Sequence, residues 1–445
     1  MKRVLMSAAA VTALMAGTAT AQDLIFPVGE GAFNWDSYAE LEKIDLNGEQ
    51  VTVFGPWLGP DQELVENVLA YFAAATGADV RYAGSDSFEQ QIVVDAEAGS
   101  APNVAVFPQP GLVSDMAKRG FVTPLGDETA NWVRDNYAAG QSWVDLGTFS
   151  GPDGNDGLFG LFYKVDVKSL VWYNPENFED FGYDVPQSME DLKALTEQMV
   201  ADGNTPWCIG LGSGGATGWP ATDWVEDLLL RTQPPEVYDG WVTNEIPFTD
   251  DRIVGAIEAF GHFARNDAYV NGGASAVATT DFRDSPAGIF SYPPECYMHR
   301  QASFIPTFFP EGAESDFFYF PSYAEGDLGN PVLGAGTLWA ITDDAPAAHV
   351  FMEFLQTPIA HELWMAQSGF LTPHSGVNLD VFPTDAQRAM NQILLGATTF
   401  RFDGSDLMPG EIGAGAFWTG MVDYVSGADA ADVAQVIQDR WDSIQ

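Results

Sequence analysis

Val51-Thr52-Val53-Phe54-Gly55-Pro56-Trp57-Leu58-Gly59-Pro60 and its continuation to Arg119 decide the fold. Val51 to Phe54 is an apolar run that predicts a buried strand, broken by the Gly/Pro-rich turn after it. Leu64, Val65, Val68, Leu69 and Phe72 then recur at helical spacing, with Gly77 as the stop. Val80-Arg81-Tyr82 predicts a second strand, and Asp86 with Glu89 a capping box opening a helix over 87–98. Val104-Ala105-Val106-Phe107 predicts a third strand, ended by Pro108, and Gly111 to Arg119 a third helix. Strands and helices alternating through short loops imply βαβ units and a parallel sheet.

Beyond residue 120 the alternation weakens and then returns. Strands are predicted at 171–174, 207–210, 287–290 and 334–341, and helices at 188–201, 223–231, 252–264, 346–356, 382–396 and 428–442. The pattern is that of an α/β protein with two sheets, whose chain crosses between lobes more than once. A length of 445 residues is enough for two domains.

Sixty-three Asp and Glu against 18 Lys and Arg give a net charge of −45, yet 46% of residues are hydrophobic, too many for a disordered acidic chain. So negative a surface repels phosphate backbones, which excludes a nucleic-acid partner. The same excess suggests adaptation to saline surroundings, where screening weakens self-repulsion. Residues 1–21 have the anatomy of a cleavable export signal: Lys2 and Arg3, an apolar core from Val4 to Ala16, and the small-x-small site Ala19-Thr20-Ala21. The expected product begins at Gln22 and is soluble in the periplasm, with no later apolar run near the roughly 18 residues that cross a bilayer. Cys208 and Cys296 are the only cysteines. In an exported chain one disulfide is the natural reading, with two free buried thiols as the alternative.

Enzyme motifs are scarce. G-x-S-x-G, S-x-x-K and the phosphate-binding P-loop are missing, and the five histidines are scattered, so neither a metal nor a cofactor is implied. Gly210-Leu211-Gly212-Ser213-Gly214-Gly215 fits G-x-G-x-x-G, but Ala216 to Pro220 continue as loop where a dinucleotide site needs a helix to open. The segment reads instead as a flexible loop of close approach. A glycoside hydrolase using an Asp/Glu pair stays open, since spacing in sequence says nothing of a gap of roughly 5–9 Å. A receptor for a polyamine is a third alternative.

Aromatic residues carry a stronger signal. Trp57, Trp219 and Trp418 lie in glycine-rich stretches, where an indole can stack on the C–H face of a sugar. Ligands of open parallel sheets bind at the carboxyl ends of strands. Those ends are Pro56-Trp57, Ser85-Asp86 and Pro108-Gln109. Helix capping alone would account for Asp86.

Gly160-Leu161-Phe162-Tyr163-Lys164, Leu170-Val171-Trp172-Tyr173-Asn174 and Ser188-Met189-Glu190-Asp191-Leu192 resemble the middle signature of the family 1 extracellular solute-binding proteins, the sugar receptors of ABC importers. Leu333 to Ile341, with Ala347-Ala348, Phe351 and Phe354-Leu355, resembles the family's third segment, and Gly218 to Trp224 is similar to periplasmic α-glucoside-binding proteins. The resemblance implies an α/β two-lobe periplasmic binding protein fold, type II-like, with discontinuous lobes joined by a multi-strand hinge. It places the first lobe at 22–161 plus 332–373 and the second at 162–331 plus 374–445, with hinge passages near 160–164, 330–334 and 372–376. It implies a monomer that captures an α-glucoside or related oligosaccharide and hands it to the permease subunits of an inner-membrane transporter. Carried over by position, the cleft candidates are Trp57, Asp86, Gln109, Trp172, Trp219, Asp223, Trp224, Tyr292, Glu295, Gly336, Arg401 and Trp418. The aromatic rings would stack, and Asp86, Asp223, Glu295 and Arg401 would bond hydroxyls. For Arg401 an ion pair with a neighbouring acid is an equal explanation.

Overall fold

The computed structural model describes residues 24–444 apart from Ala139, Asp327, Ser368, Ala397 and Thr398; the expected export signal, residues 1–21, lies outside the described residues. Eleven strands form among them: β1 (Gln50–Gly55), β2 (Asp79–Gly84), β3 (Val104–Phe107), the hairpin of β4 (Thr148–Ser150) and β5 (Asp156–Leu158), β6 (Leu161–Val167), β7 (Leu170–Tyr173), β8 (Met298–Arg300), β9 (Asp316–Tyr319), β10 (Pro331–Ile341) and β11 (Thr399–Phe402). The main sheet runs β11-β10-β3-β1-β2, with β6 also paired to β10. β1 is parallel to β2 and β3, as the alternation requires, but β10 enters antiparallel to β3, so the sheet is mixed. β11 pairs with Pro331–Gly334 and β3 with Leu338–Ile341, while β6 pairs with Gly334–Trp339. A second, three-stranded antiparallel sheet is ordered β8-β7-β9.

The helix Pro60–Thr76 shows how sequence makes these elements. Pro60 supplies a preset φ at the first turn, Asp61 and Glu63 favour the positive helix end, and Gly77 closes the helix at φ 78°. Val65, Val68, Leu69 and Phe72 are buried on one stripe, each worth about 1.5–3 kcal/mol relative to exposure. The hydrophobic core divides in two. One part holds β1, β3 and β6; the other is built on the helices Met189–Ala201, Trp219–Thr232, Asp251–Ala264 and Ala430–Asp442. Phe382, Met390 and Phe402 pack into the first part, whereas Met408 and later residues pack into the second. The returning chain is therefore split between cores, where the sequence reading had assigned all of 374–445 to one lobe. The chain leaves the main sheet at Lys168-Ser169 and rejoins it at Pro331.

Several local expectations change. Asp86 and Glu89 form no capping box: the helix Phe88–Ala98 has Ser87 at its N-cap with no side-chain bond. Trp207 makes only isolated bridges, to Val270 and Met298, since Pro206 lacks the N–H a ladder needs. Ser285–Phe290 is a 3-10 helix rather than a strand, with Pro286 in its first turn. The helix expected at 223 begins at Trp219, the one expected at 382 begins at Asp385, and Pro358–Met365 adds a helix that was not foreseen. Cys208 and Cys296 form the disulfide, with Cα atoms 5.5 Å apart.

Candidate ligand-binding site

The carboxyl ends of β1, β2 and β3 converge on one wall of a cavity, presenting Trp57, Asp86 and Gln109. Its floor comes from β6 and β10. Alternate residues of a strand share a face, and Lys164, Asp166 and Lys168 follow that period into the cavity. Thr337 joins them beside a register shift between Thr337 and Leu338, an irregularity that re-aims a side chain. The opposite wall carries Trp219, Phe282, Arg283 and Trp418. The space enclosed is about 920 Å³, solvent at its mouth included.

Polar atoms aim into this space without partners in the protein. Asp61 Oδ1, Gln109 Oε1, Thr337 Oγ1, Trp418 Nε1 and Arg283 Nε are all buried and unpaired. Buried polar groups are almost always bonded, so five at one cavity form a set built for an incoming molecule. It offers two acceptors, two donors and a hydroxyl, the complement of a polyhydroxylated ligand. Gln109 is fixed by its other end, where Nε2 donates to Glu89 Oε1 at 2.9 Å. Burial pushes the Asp61 carboxyl up to about 6, with the nearby Lys164 charge pulling the other way. Trp57 is braced by Trp364 at a centroid distance of 5.0 Å, and Trp219 by Phe282 at 5.0 Å.

Lys168 ties the floor into a buried ion network that reaches away from the cavity. Lys168 pairs with Asp223 at 2.7 Å and also with Asp403. Burial pushes Asp223 up to about 8, against the pull of Lys168. Asp403 is equally buried, but the Lys168 charge and its hydrogen bonds hold its carboxyl down to about 2. Arg300 reaches Asp227 at 2.7 Å, and Ser169 Oγ donates to Asp227 at 2.8 Å. The floor is thus held by charges that are themselves fully enclosed.

Of the twelve residues singled out from sequence, Trp57, Asp86, Gln109, Trp219, Gly336 and Trp418 line the cavity. Trp219 and Trp418 are not loop residues, however; each opens a helix. The other six are placed elsewhere. Trp172 is core, its Nε1 donating to Gln301 O at 2.9 Å. Trp224 is buried against Trp207, Phe260 and Phe263. Asp223 lies behind Lys168 rather than in the cavity. Tyr292 is 99% exposed, and Glu295 accepts from Asn271 at the surface. Arg401 forms a bidentate pair with Asp239, at 2.6 and 2.9 Å, so the ion-pair explanation holds. Asp61, Lys164, Asp166, Lys168, Phe282, Arg283 and Thr337 were missed. Charges at alternate positions of an otherwise apolar run are a legible signal for Lys164 and Asp166 on β6 and Lys168 just beyond it, whereas Asp61 reads in sequence only as a first-turn acid.

The glycine-rich segment does make a close approach. A Cβ on Gly214 would lie 2.6 Å from Asp86 Cβ, and one on Gly215 2.8 Å from Ser87 Oγ, so bare backbone from one wall presses on the other.

The family model for bacterial extracellular solute-binding proteins matches residues 55–362. The chain belongs to this family. This solute-binding protein is 63% identical, over 458 aligned positions and 100% of each chain, to the alpha-glucosides-binding periplasmic protein AglE of Rhizobium meliloti strain 1021. It is 41% identical to the osmoprotective compounds-binding protein GgtB of Synechocystis strain PCC 6803, covering 89% of this chain and 93% of the relative. The solved structure of the bacterial solute receptor AcbH superposes with a TM-score of 0.76 at 17% identity, over 89% of this chain and 100% of that one. The fold is accordingly the α/β two-lobe fold of periplasmic sugar-binding proteins. As a solute-binding protein it is not an enzyme, and the glycoside-hydrolase alternative is set aside.

Proposed function

We propose that this solute-binding protein captures an α-glucoside in the cavity between its lobes and delivers it to the permease of an ABC importer. The observation that carries this reading is the set of five buried, unpartnered polar atoms beside the rings of Trp57, Trp219 and Trp418. Hydroxyls satisfy such atoms, while a pyranose C–H face suits an indole. The naming of AglE for alpha-glucosides, at 63% identity, supports the choice of sugar. A first lobe of 24–167 plus 331–402 and a second of 169–330 plus the residues from Met408 on would hinge about the passages at Lys168-Ser169 and before Pro331. Ligand would favour the closed form, which the permease would read. The protein would act as a periplasmic monomer, exported by residues 1–21.

Carboxylates lining the cavity outnumber its three bases, Lys164, Lys168 and Arg283, which also suits a polyamine. A fluorescence-monitored melt against maltose, trehalose, sucrose, glucose and putrescine separates the two readings. At 100 times Kd a ligand stabilises by about 2.7 kcal/mol. A shift with an α-linked disaccharide, and no glucose released, is expected; a shift with putrescine alone overturns the sugar reading.

A further inference from the structure

The Asp86–Arg283 ion pair borders two cavities at once. One is the site described; the other is an outer cavity of about 840 Å³, open solvent included, that opens further to solvent. Leu58 and Pro60 wall the outer cavity from the side of β1, and Thr307, Phe308 and Phe309 wall it from the side of Arg283. The bond between the two carriers, 2.7 Å from Arg283 Nη2 to Asp86 Oδ1, therefore stands on the boundary between inner and outer space.

Arg283 is held in that position. Its guanidinium lies 4.4 Å from the Phe282 ring centre and 5.9 Å from that of Phe308, and Asp281 stands 3.5 Å away. Gly214 lies so near Asp86 that a Cβ on it would stand 2.6 Å from Asp86 Cβ. The side chains keep 20% and 30% of their exposure, so the pair is reached from the outer cavity, where ligand hydroxyls can replace its bond. Beyond it, Phe308, Phe309 and Pro60 offer apolar faces. The buried Thr307 Oγ1 has no partner, and Asp284 supplies a carboxylate. These are again the requirements of a pyranose ring.

Resting on the α-glucoside reading, we infer that Asp86 and Arg283 form a length gate. The pair confines short α-glucosides to the inner cavity, and the outer cavity receives the further rings of longer ones only when the pair parts.

The test is calorimetric titration of the wild-type protein, Arg283→Ala, Asp86→Ala and the double variant Arg283→Ala/Leu58→Trp with maltose, maltotriose, maltotetraose and trehalose. Wild type should bind maltotetraose at least about tenfold more weakly than maltose. Each single variant should shrink that ratio by about tenfold or more, whatever it does to maltose itself, and Leu58→Trp, which fills the outer cavity, should restore it. Maltose binding with the ratio unchanged in either single variant overturns the gate alone, as does wild type that binds maltotetraose as tightly as maltose. Trehalose binding with no maltosaccharide bound by any form overturns the gate and leaves the α-glucoside reading standing. Binding of none of the four sugars by any form overturns both.

Discussion

Lys168 Nζ, on the floor of the cavity, lies 2.7 Å from the buried Asp223 Oδ1 behind it. The same ammonium also pairs with Asp403, whose carboxyl is held down to about 2 while that of Asp223 is pushed up to about 8, so at neutral pH its charge is balanced chiefly by Asp403. Removing one member of a buried pair costs about 3–5 kcal/mol, because the remaining charge stays desolvated. Lys168→Met should therefore lose stability on that scale in denaturant titrations, with Lys168→Met/Asp403→Asn recovering part of the loss. A change under about 1 kcal/mol would show that the pair is dispensable.

Asp61 should behave as a residue kept for binding at the expense of stability. Its folded pKa, raised to about 6, exceeds the usual carboxylate value, so the folded state binds more protons than the unfolded between about pH 4 and 6. The group thus destabilises the free protein at neutral pH and ceases to do so as pH falls through that window. Asp61→Asn should raise neutral-pH stability by about 1–3 kcal/mol, a gain that fades by about pH 4. It should weaken sugar binding by about tenfold or more, through loss of a charged acceptor. Wild-type affinity should fall below about pH 6 as the carboxylate protonates. Equal sugar affinities for the two proteins would remove Asp61 from the site.

Gly214 and Gly203 make a controlled comparison. Both have positive φ, 57° and 85°, but a Cβ on Gly214 meets Asp86, whereas one on Gly203 meets nothing within 4 Å. Either alanine should cost about 1 kcal/mol of stability from backbone strain. Only Gly214→Ala should also weaken ligand binding, by about fivefold or more, because its clash arises where the two walls meet. Parallel titrations that fail to separate the two variants would refute this account of the loop.

The Cys208–Cys296 bridge joins positions 88 residues apart. A loop of that length restrains the unfolded chain by about 4 kcal/mol. Cys208→Ala/Cys296→Ala should lose stability on that order in denaturant melts while retaining ligand binding, since neither cysteine lines the cavity. Loss of binding in a folded double variant would give the bridge a role in the site.

What the sequence determined by itself is periodic or local. The βαβ order of residues 50–119 follows from apolar spacing and glycine stops, which each element carries within its own few residues. The positions of Trp57, Asp86 and Gln109 at the cavity follow from the same reading, because a strand's carboxyl end is known once the strand is. The tertiary structure decided the rest. Asp86 turns from its expected cap to Arg283, 197 residues away in sequence, and Asp223 turns from the ligand to Lys168. Trp172 and Trp224 lie in the core and Tyr292 at the surface, although all three are aromatic in the sequence. The choice among these fates depends on which charges and rings the fold brings within a few ångströms. That is set by long-range pairing such as β10 against β3, β6 and β11, and no local pattern encodes it.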